Sequence, residues 1–138
     1  MVLKQVEELQ ENRNKRGDIL AFTLALNNKW DIFVNENGDI ATLDDTYAIA
    51  QNAANAVRLF TNDAYFNTDR GIPHYDIELG NKAIPNRSTL TNRIRNAVLD
   101  VDGVDDVEVV LEFNNLTRTY GGIIYITTVN STSIQIEL

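Results

Sequence analysis

Two carboxylates in the middle of the chain, Asp63 and Glu78, are the residues best placed to do chemistry, because both lie in an irregular, aromatic-rich segment. A glycosidase needs two carboxyl groups about 5 to 9.5 Å apart, one of them with a raised pKa. Sequence spacing does not give that distance. His74, the single histidine, has no nearby serine in a nucleophile-like turn with which to form a triad. We therefore predict no catalytic residue and keep a carboxylate-dependent hydrolase as the alternative.

Composition also disfavours thiol and metal chemistry. The chain has no Cys, which excludes disulfides, thiolate zinc sites and a cysteine nucleophile. The acidic run Asp100–Asp106 resembles a calcium loop, but an EF-hand loop has Gly at its sixth position, and Gly103 stands at the fourth. We predict neither a metal site nor a cofactor.

Charge and hydropathy narrow the class of partner. The 138 residues include 12 Lys+Arg and 20 Asp+Glu, which gives a formal net charge of −8. Nucleic acids and anionic membranes bind cationic faces, so neither is expected as the main partner. The N-terminus lacks the continuous apolar region of an export signal, and no stretch reaches the ~20 apolar residues of a membrane span. We expect one soluble domain that is made and kept in a cytoplasm.

The elements that precede the central segment begin with a short helix, a strand and a turn. Val2–Lys15 has near-helical apolar spacing, which predicts a short amphipathic helix. Ile19–Leu26 alternates large and small residues, which predicts a strand whose large side chains form one buried face. Trp30–Val34 and Asp39–Leu43 flank Asn-Glu-Asn-Gly, a strong hairpin signal because Asn and Gly accept positive φ. The large side chains of the first strand are Leu20, Phe22, Leu24 and Leu26.

Two helices follow, separated by the irregular segment. The first is predicted to start at Asp44–Thr46, whose side chains can cap free amides, and to end near Phe60. The second is predicted to be capped by Ser88 and stopped by Gly103. Between them, Thr61–Lys82 is expected to form an ordered loop.

Strands dominate the C-terminal third. Val104–Phe113 alternates strictly, and Ile123–Val129 and Ser133–Leu138 follow across short polar turns, which predicts a β-meander. The final strand suits a sheet edge that pairs with another protein, and burial inside its own domain is the alternative. The expected fold is α+β: two main helices packed on a mainly antiparallel sheet, with an N-terminal hairpin and a C-terminal β-meander.

Several short stretches of the sequence, taken in order, resemble those of a known protein family. The stretches, in order, are Trp30–Val34, Asn37–Ala41, Ala50–Ala53, Arg58–Phe60, Gly71–Tyr75, Leu79–Gly80 and Leu99–Val104. In order and spacing they resemble the gene 25-like family of phage baseplate wedge proteins, also called tail sheath initiators. The resemblance divides the chain into an N-terminal extension, residues 1–29, partly helical or mobile and then a strand, and a wedge domain, residues 30–138.

The resemblance implies a contact with wedge proteins in the central segment. The family motif after the first helix is Gly-Glu followed by Pro-x-aromatic-Gly. Here Asn62-Asp63 takes the place of Gly-Glu and Gly71 keeps the final Gly, while the Pro and aromatic positions differ. The implied wedge-contact residues are Asp63, Asp69, Arg70 and Gly71.

The resemblance further implies a structural protein and not an enzyme. Family members join wedge proteins in several copies around the tail hub, and their C-terminal strands mesh with the first ring of tail sheath protein. The implied location is the virion baseplate, assembled in the host cytoplasm. A muramidase-like peptidoglycan hydrolase, and the equivalent subunit of a type VI secretion system or tailocin, are the alternatives. The implied sheath-binding residues are Ser133, Ile134, Gln135, Ile136, Glu137 and Leu138.

Overall fold

The computed structural model describes residues 21–73 and 86–138, and in them it shows the expected α+β fold. The strands form two antiparallel sheets, β1-β2 and β3-β4-β5, so the N-terminal hairpin and the C-terminal meander are both confirmed. The predicted helix at Val2–Lys15 and the predicted core residue Leu20 lie outside the described residues. No helix in the described ranges is long and apolar enough to cross a membrane. In chain order the elements are β1 Phe22–Leu24, β2 Thr42–Asp44, α1 Asp45–Arg58, α2 Arg87–Leu99, β3 Val104–Asn114, β4 Thr119–Thr128 and β5 Ser133–Glu137.

Residues 21–44, which we call the N-terminal ribbon, fold back on themselves at a tight turn. The N–H of Asn35 donates to the carbonyl oxygen of Asp39 at 2.7 Å. The side-chain oxygen of Asn35 accepts from the N–H groups of Asn37 at 2.9 Å and Asp39 at 3.0 Å. Gly38 has φ +88°, which glycine adopts without a steric penalty. The local residues therefore make the hairpin that the Asn-Gly signal predicted.

The first strand buries the face opposite to the one predicted. Ala21 is 5% exposed and Ala25 is also buried, whereas Phe22 is 65% exposed and Leu24 is exposed as well. The cause is helix α1, which packs on this strand and places Ala48 in the same buried cluster as Ala21. Small side chains on both elements let the two backbones approach closely. The prediction that Phe22 and Leu24 are buried is therefore wrong.

Helix α1 starts without the predicted side-chain cap. Asp44 occupies the N-cap position, but its side chain accepts no capping hydrogen bond. Asp45 has φ +50°, and its N–H donates to the carbonyl oxygen of Ala21 at 2.9 Å. The Asp45 N–H is therefore bonded to the main chain of Ala21, just before β1. The prediction that a carboxylate side chain caps this helix is wrong. At the other end the helix stops at Arg58, slightly before the predicted Phe60.

Helix α2 is capped by Asn86, and the prediction of Ser88 as the cap is wrong. The side-chain oxygen of Asn86 accepts from the N–H of Ser88 at 3.0 Å and from its hydroxyl at 2.8 Å. Ser88 therefore lies inside the first turn of the helix. The helix ends at Leu99, before Gly103, which has φ +93° in the turn that leads to β3.

The core lies between the two helices and the inner face of the three-stranded sheet. Helix α2 packs on β3, and α1 contacts both α2 and β5. Leu111, Ile124 and Ile126 are at most 1% exposed, and full burial of such a side chain contributes about 1.5–3 kcal/mol. The alternation predicted for β3 is confirmed by the burial of Val107 and Leu111. The remaining buried aliphatic residues of the cluster are Ile49, Ala53, Val57, Ile72, Leu90, Ile94, Val98 and Ile134.

Candidate partner-binding surfaces

The last strand, β5, lies at an edge of its sheet, because the strand order is β3-β4-β5. The N–H of Leu138 donates to the carbonyl oxygen of Gly122 at 3.0 Å. Bonded positions alternate along an antiparallel ladder, so the main chains of Ile134 and Ile136 also face β4. No strand within residues 21–73 and 86–138 pairs with the other side of β5. The N–H and C=O groups that point outward belong to Ser133, Gln135 and Glu137.

The side chains of β5 divide between core and solvent. Ile134 is 9% exposed and belongs to the buried cluster, and Ile136 is half-buried against it. Ser133, Gln135 and Glu137 are exposed. Within the described residues, the strand therefore buries one face in the domain's own core and leaves its outer main chain unpaired.

The opposite edge of the sheet, on β3, is partly occupied by a side chain from α2. The ladder positions place the carbonyl of Val107 on the side away from β4. Arg95 donates from Nε to that oxygen at 2.9 Å and from Nη2 to a carboxylate oxygen of Asp106 at 3.0 Å. The edge on β3 is therefore partly blocked, while the edge on β5 is open among the described residues.

The loop after α1, residues 61–71, is closed at its base and has internal turns; we call it the central loop. Phe60 and Ile72 form a parallel bridge across the base, where Thr61 N–H donates to the carbonyl oxygen of Ile72 at 3.1 Å. Within the loop, the N–H of Asn62 donates to the carbonyl oxygen of Thr68 at 2.8 Å. These main-chain bonds close the base of the loop and brace its interior, so the tip projects from a hydrogen-bonded base.

The structure brings three of the four implied wedge-contact residues together and separates the fourth. Asp69, Arg70 and Gly71 line a cleft between α1 and α2, whereas Asp63 lies outside that cleft. Gly71 has φ +117°, and a Cβ there would lie 2.6 Å from the carbonyl carbon and oxygen of Phe60. Gly71 therefore closes the base of the loop, while Asp69 and Arg70 are exposed. Helix α2 and its C-terminal turn contribute Arg93, Asn96, Ala97 and Asp100 to the cleft.

The sequence-based site missed an aromatic pair at the tip of the central loop. Tyr65 is 86% exposed and Phe66 is 98% exposed. Their ring centroids are 5.1 Å apart, with an interplanar angle of 89°. Exposed aromatic residues on an ordered loop are typical anchors of protein interfaces. The available signal was two adjacent aromatic residues in a polar stretch without helical or strand periodicity.

The described residues of these surfaces present groups that can bind another protein. Asp63 is exposed, and its proposed catalytic partner Glu78 lies outside the described residues, as does His74. Among the residues that the structure describes, including the run Asp100–Asp106, no group of three or more acidic or histidine side chains could hold a metal ion. The open edge of β5 and the central loop present main-chain hydrogen-bonding groups, aromatic rings and exposed charges.

The sequence matches a known family across most of this fold. Residues 22–132, which include β1 to β4 and both helices, match the family described as contractile injection system sheath initiator. No curated protein matches the chain. The match confirms the resemblance to sheath initiators. Because it covers most of the chain, the protein belongs to the sheath initiator family of contractile injection systems.

Proposed function

We propose that the protein is a non-enzymatic subunit of a phage tail baseplate that binds wedge proteins and starts sheath assembly through the open edge of β5. The observation that carries the proposal is the outward-facing main chain of Ser133, Gln135 and Glu137. An extended segment of a sheath protein can add to such an edge as a further strand, with main-chain hydrogen bonds supplying affinity.

The side chains of β5 suggest what the added strand looks like. Ile134 and Ile136 point to the core side of the sheet, and helix α1 contacts β5 there. A strand added beside them would extend that apolar side and leave its alternate residues in solvent. We therefore expect the sheath segment to alternate apolar and polar residues.

The strength of one such contact is modest, and repetition makes it sufficient. Each main-chain hydrogen bond contributes about 0.5–1.5 kcal/mol net of the water that it displaces. Several copies around the tail hub would bind a ring of sheath subunits together, so that effective concentration raises the affinity of the whole ring. A ring in the virion baseplate, assembled in the host cytoplasm, is the proposed setting. No cofactor, nucleic acid or membrane is needed for this role.

A proline substitution tests the edge directly. Gln135→Pro removes an outward-facing N–H and leaves the β4 ladder in place, because proline is tolerated where the amide faces away from a neighbouring strand. We expect Gln135→Pro to abolish recruitment of sheath protein to baseplates, scored by electron microscopy. The matched control Gln135→Ala keeps the N–H and should recruit sheath normally. Normal recruitment by a folded Gln135→Pro variant would show that the edge is not used.

The second surface of the proposal is the central loop, which would contact the wedge proteins. Tyr65 and Phe66 provide exposed aromatic area, and Asp63, Asp69 and Arg70 add exposed charges to the same loop. Loss of an aromatic anchor typically costs about 2 kcal/mol or more, which is about a 30-fold loss of affinity.

The loop is tested by binding to wedge complexes assembled without this subunit. The double variant Tyr65→Ala/Phe66→Ala should lose most of its affinity. Leu116, in the turn between β3 and β4, is 95% exposed, so Leu116→Ala is a matched control for loss of apolar surface. Equal affinity for the double variant and the control would remove the central loop from the wedge interface.

A further inference from the structure

One face of the N-terminal ribbon is apolar and lacks a cover among the described residues. Leu26 pairs with Ile32, and Val34 pairs with Ile40, so the two members of each pair point to the same side. Residues two apart along a strand also share a side, which brings the alternate residues of the first strand onto this face. We call the apolar part of this side the outer face; it consists of Phe22, Leu24, Leu26, Ile32, Val34 and Ile40. Thr42 and Asp44, the partners of Leu24 and Phe22, lie at one end of the same side and add polar groups there.

The outer face exposes large side chains over a continuous area. All of its residues except Leu26, which is half-buried, are between 45% and 65% exposed. The opposite face of the same strand packs on α1. Contiguous apolar surface of this kind is uncommon on monomers and marks a contact with another segment or molecule.

We propose that residues 2–9 of the same chain cover the outer face. Residues 1–20 lie outside the described range and join the ribbon at Ala21, so they are tethered beside this face. Val2, Leu3, Val6 and Leu9 have the spacing of an amphipathic helix with one apolar side. Residues 10–20 reach up to ~36 Å when extended, which exceeds the length of the ribbon's strands. The apolar stretch can therefore reach any part of the outer face.

Charge favours the same occupant. Arg13, Lys15 and Arg16 follow the apolar stretch in the sequence. The ribbon exposes four carboxylates, so the basic residues would lie near acidic ones when the apolar stretch is docked, and such complementarity fixes orientation. The exposed carboxylates are Asp31, Glu36, Asp39 and Asp44.

Tethering and size both argue for the chain's own segment over a second copy. A short flexible tether gives an effective concentration in the millimolar range, so a small apolar contact is enough. Stable dimers bury about 800 Å² on each partner. The outer face has six side chains that are already about half covered, which is less than a symmetric dimer needs and suits a short segment.

Paired cysteines test the proposal, because the chain has no Cys of its own. Val6→Cys with Leu24→Cys joins the apolar stretch to the outer face. Val6→Cys with Leu116→Cys is the control, since Leu116 is exposed in the β3–β4 turn of the other sheet and is not part of the outer face. On mild oxidation of the dilute full-length chain, we expect the first pair to form an intramolecular disulfide in about tenfold greater yield, since effective concentration helps only sites that meet. Equal yields, or disulfide-linked dimers, overturn the proposal.

Dye binding gives an independent measurement on full-length protein. Leu3→Glu/Val6→Glu places charge on the apolar side of the segment and should uncover the outer face, which raises the fluorescence of an apolar dye such as ANS. Gln5→Glu/Asn12→Glu adds the same charge outside the apolar side and should leave the fluorescence unchanged. If the two double variants bind the dye equally, residues 2–9 do not cover the outer face.

Discussion

Alanine substitutions at two glycines with positive φ, Gly71 and Gly38, test how closely the chain packs at the base of the central loop. The quantity compared is the loss of stability in each variant. Both glycines lie where residues with a Cβ are rarely found, at φ +117° and +88°. An alanine at either position has the cost of a left-handed conformation, about 1–2 kcal/mol. The two sites differ in their surroundings: nothing lies within 4 Å of a Cβ at Gly38, whereas at Gly71 it would meet main-chain atoms of Phe60 at 2.6 Å and Thr61 at 2.8 Å.

The expected magnitude follows from that difference. Main-chain atoms held by the Phe60–Ile72 bridge cannot move aside without breaking it, so Gly71→Ala carries an additional overpacking cost of about 1–3 kcal/mol. The gain from a less flexible unfolded chain, about 0.4–1 kcal/mol, applies to both variants and cancels in the comparison. Gly71→Ala should therefore be less stable than Gly38→Ala by about 1–3 kcal/mol, or about 4–12 °C in Tm for a chain of this size.

The assay is thermal and urea unfolding of both single variants, followed by circular dichroism. Binding to wedge complexes is measured on the same samples, and Gly71→Ala should weaken it because the base of the central loop opens, while Gly38→Ala should bind normally. Equal destabilisation of the two variants would refute the close approach of Gly71 to Phe60.

Two further predictions concern the caps of the two helices and the contact of α2 with β3. Asn86→Ala should lower stability by about 1 kcal/mol in urea unfolding, because the capping bond to Ser88 is lost. Asp44→Ala should change it little, because Asp44 makes no capping bond; equal losses would contradict this reading of the caps. Arg95→Met should cost about 1 kcal/mol and free the Val107 carbonyl, whereas Asp106→Asn should cost less, since exposed ion pairs contribute little. A larger loss for Asp106→Asn would show that the ion pair, and not the main-chain bond, matters.

The parts of the fold that were predicted correctly are those that local residues determine. The turn at Asn35–Gly38 needs only its own side chain and a glycine. Helical spacing likewise identified α1 and α2, and strict alternation identified β3. Each of these signals lies within one continuous segment, so no knowledge of tertiary contacts was required.

The wrong predictions concern features that the local sequence leaves undecided. Contacts between distant segments decide them. Alternation shows that β1 has a large and a small face, but only the approach of α1 decides that Ala21 is inside and Phe22 outside. Asn86 and Ser88 are both good caps, and the chain geometry selects one. The bond from Arg95 to Val107 joins separate elements and has no sequence signature. The open edge of β5 was suggested by its position at the end of the meander, but its outward-facing groups follow only from the register.

The hydrogen bond between Arg95 and Val107 affects which edge of the three-stranded sheet can accept a further strand. With a guanidinium on one side of the sheet and a register shift between Val104 and Asp106, β3 is a poor template for a further strand. Under the proposed strand addition, the sheet formed by the described residues would accept a strand beside β5 more readily than beside β3. Under that proposal, the difference between the two edges would set the direction in which sheath subunits add, because β3 does not offer a second copy of the subunit the edge that β5 offers.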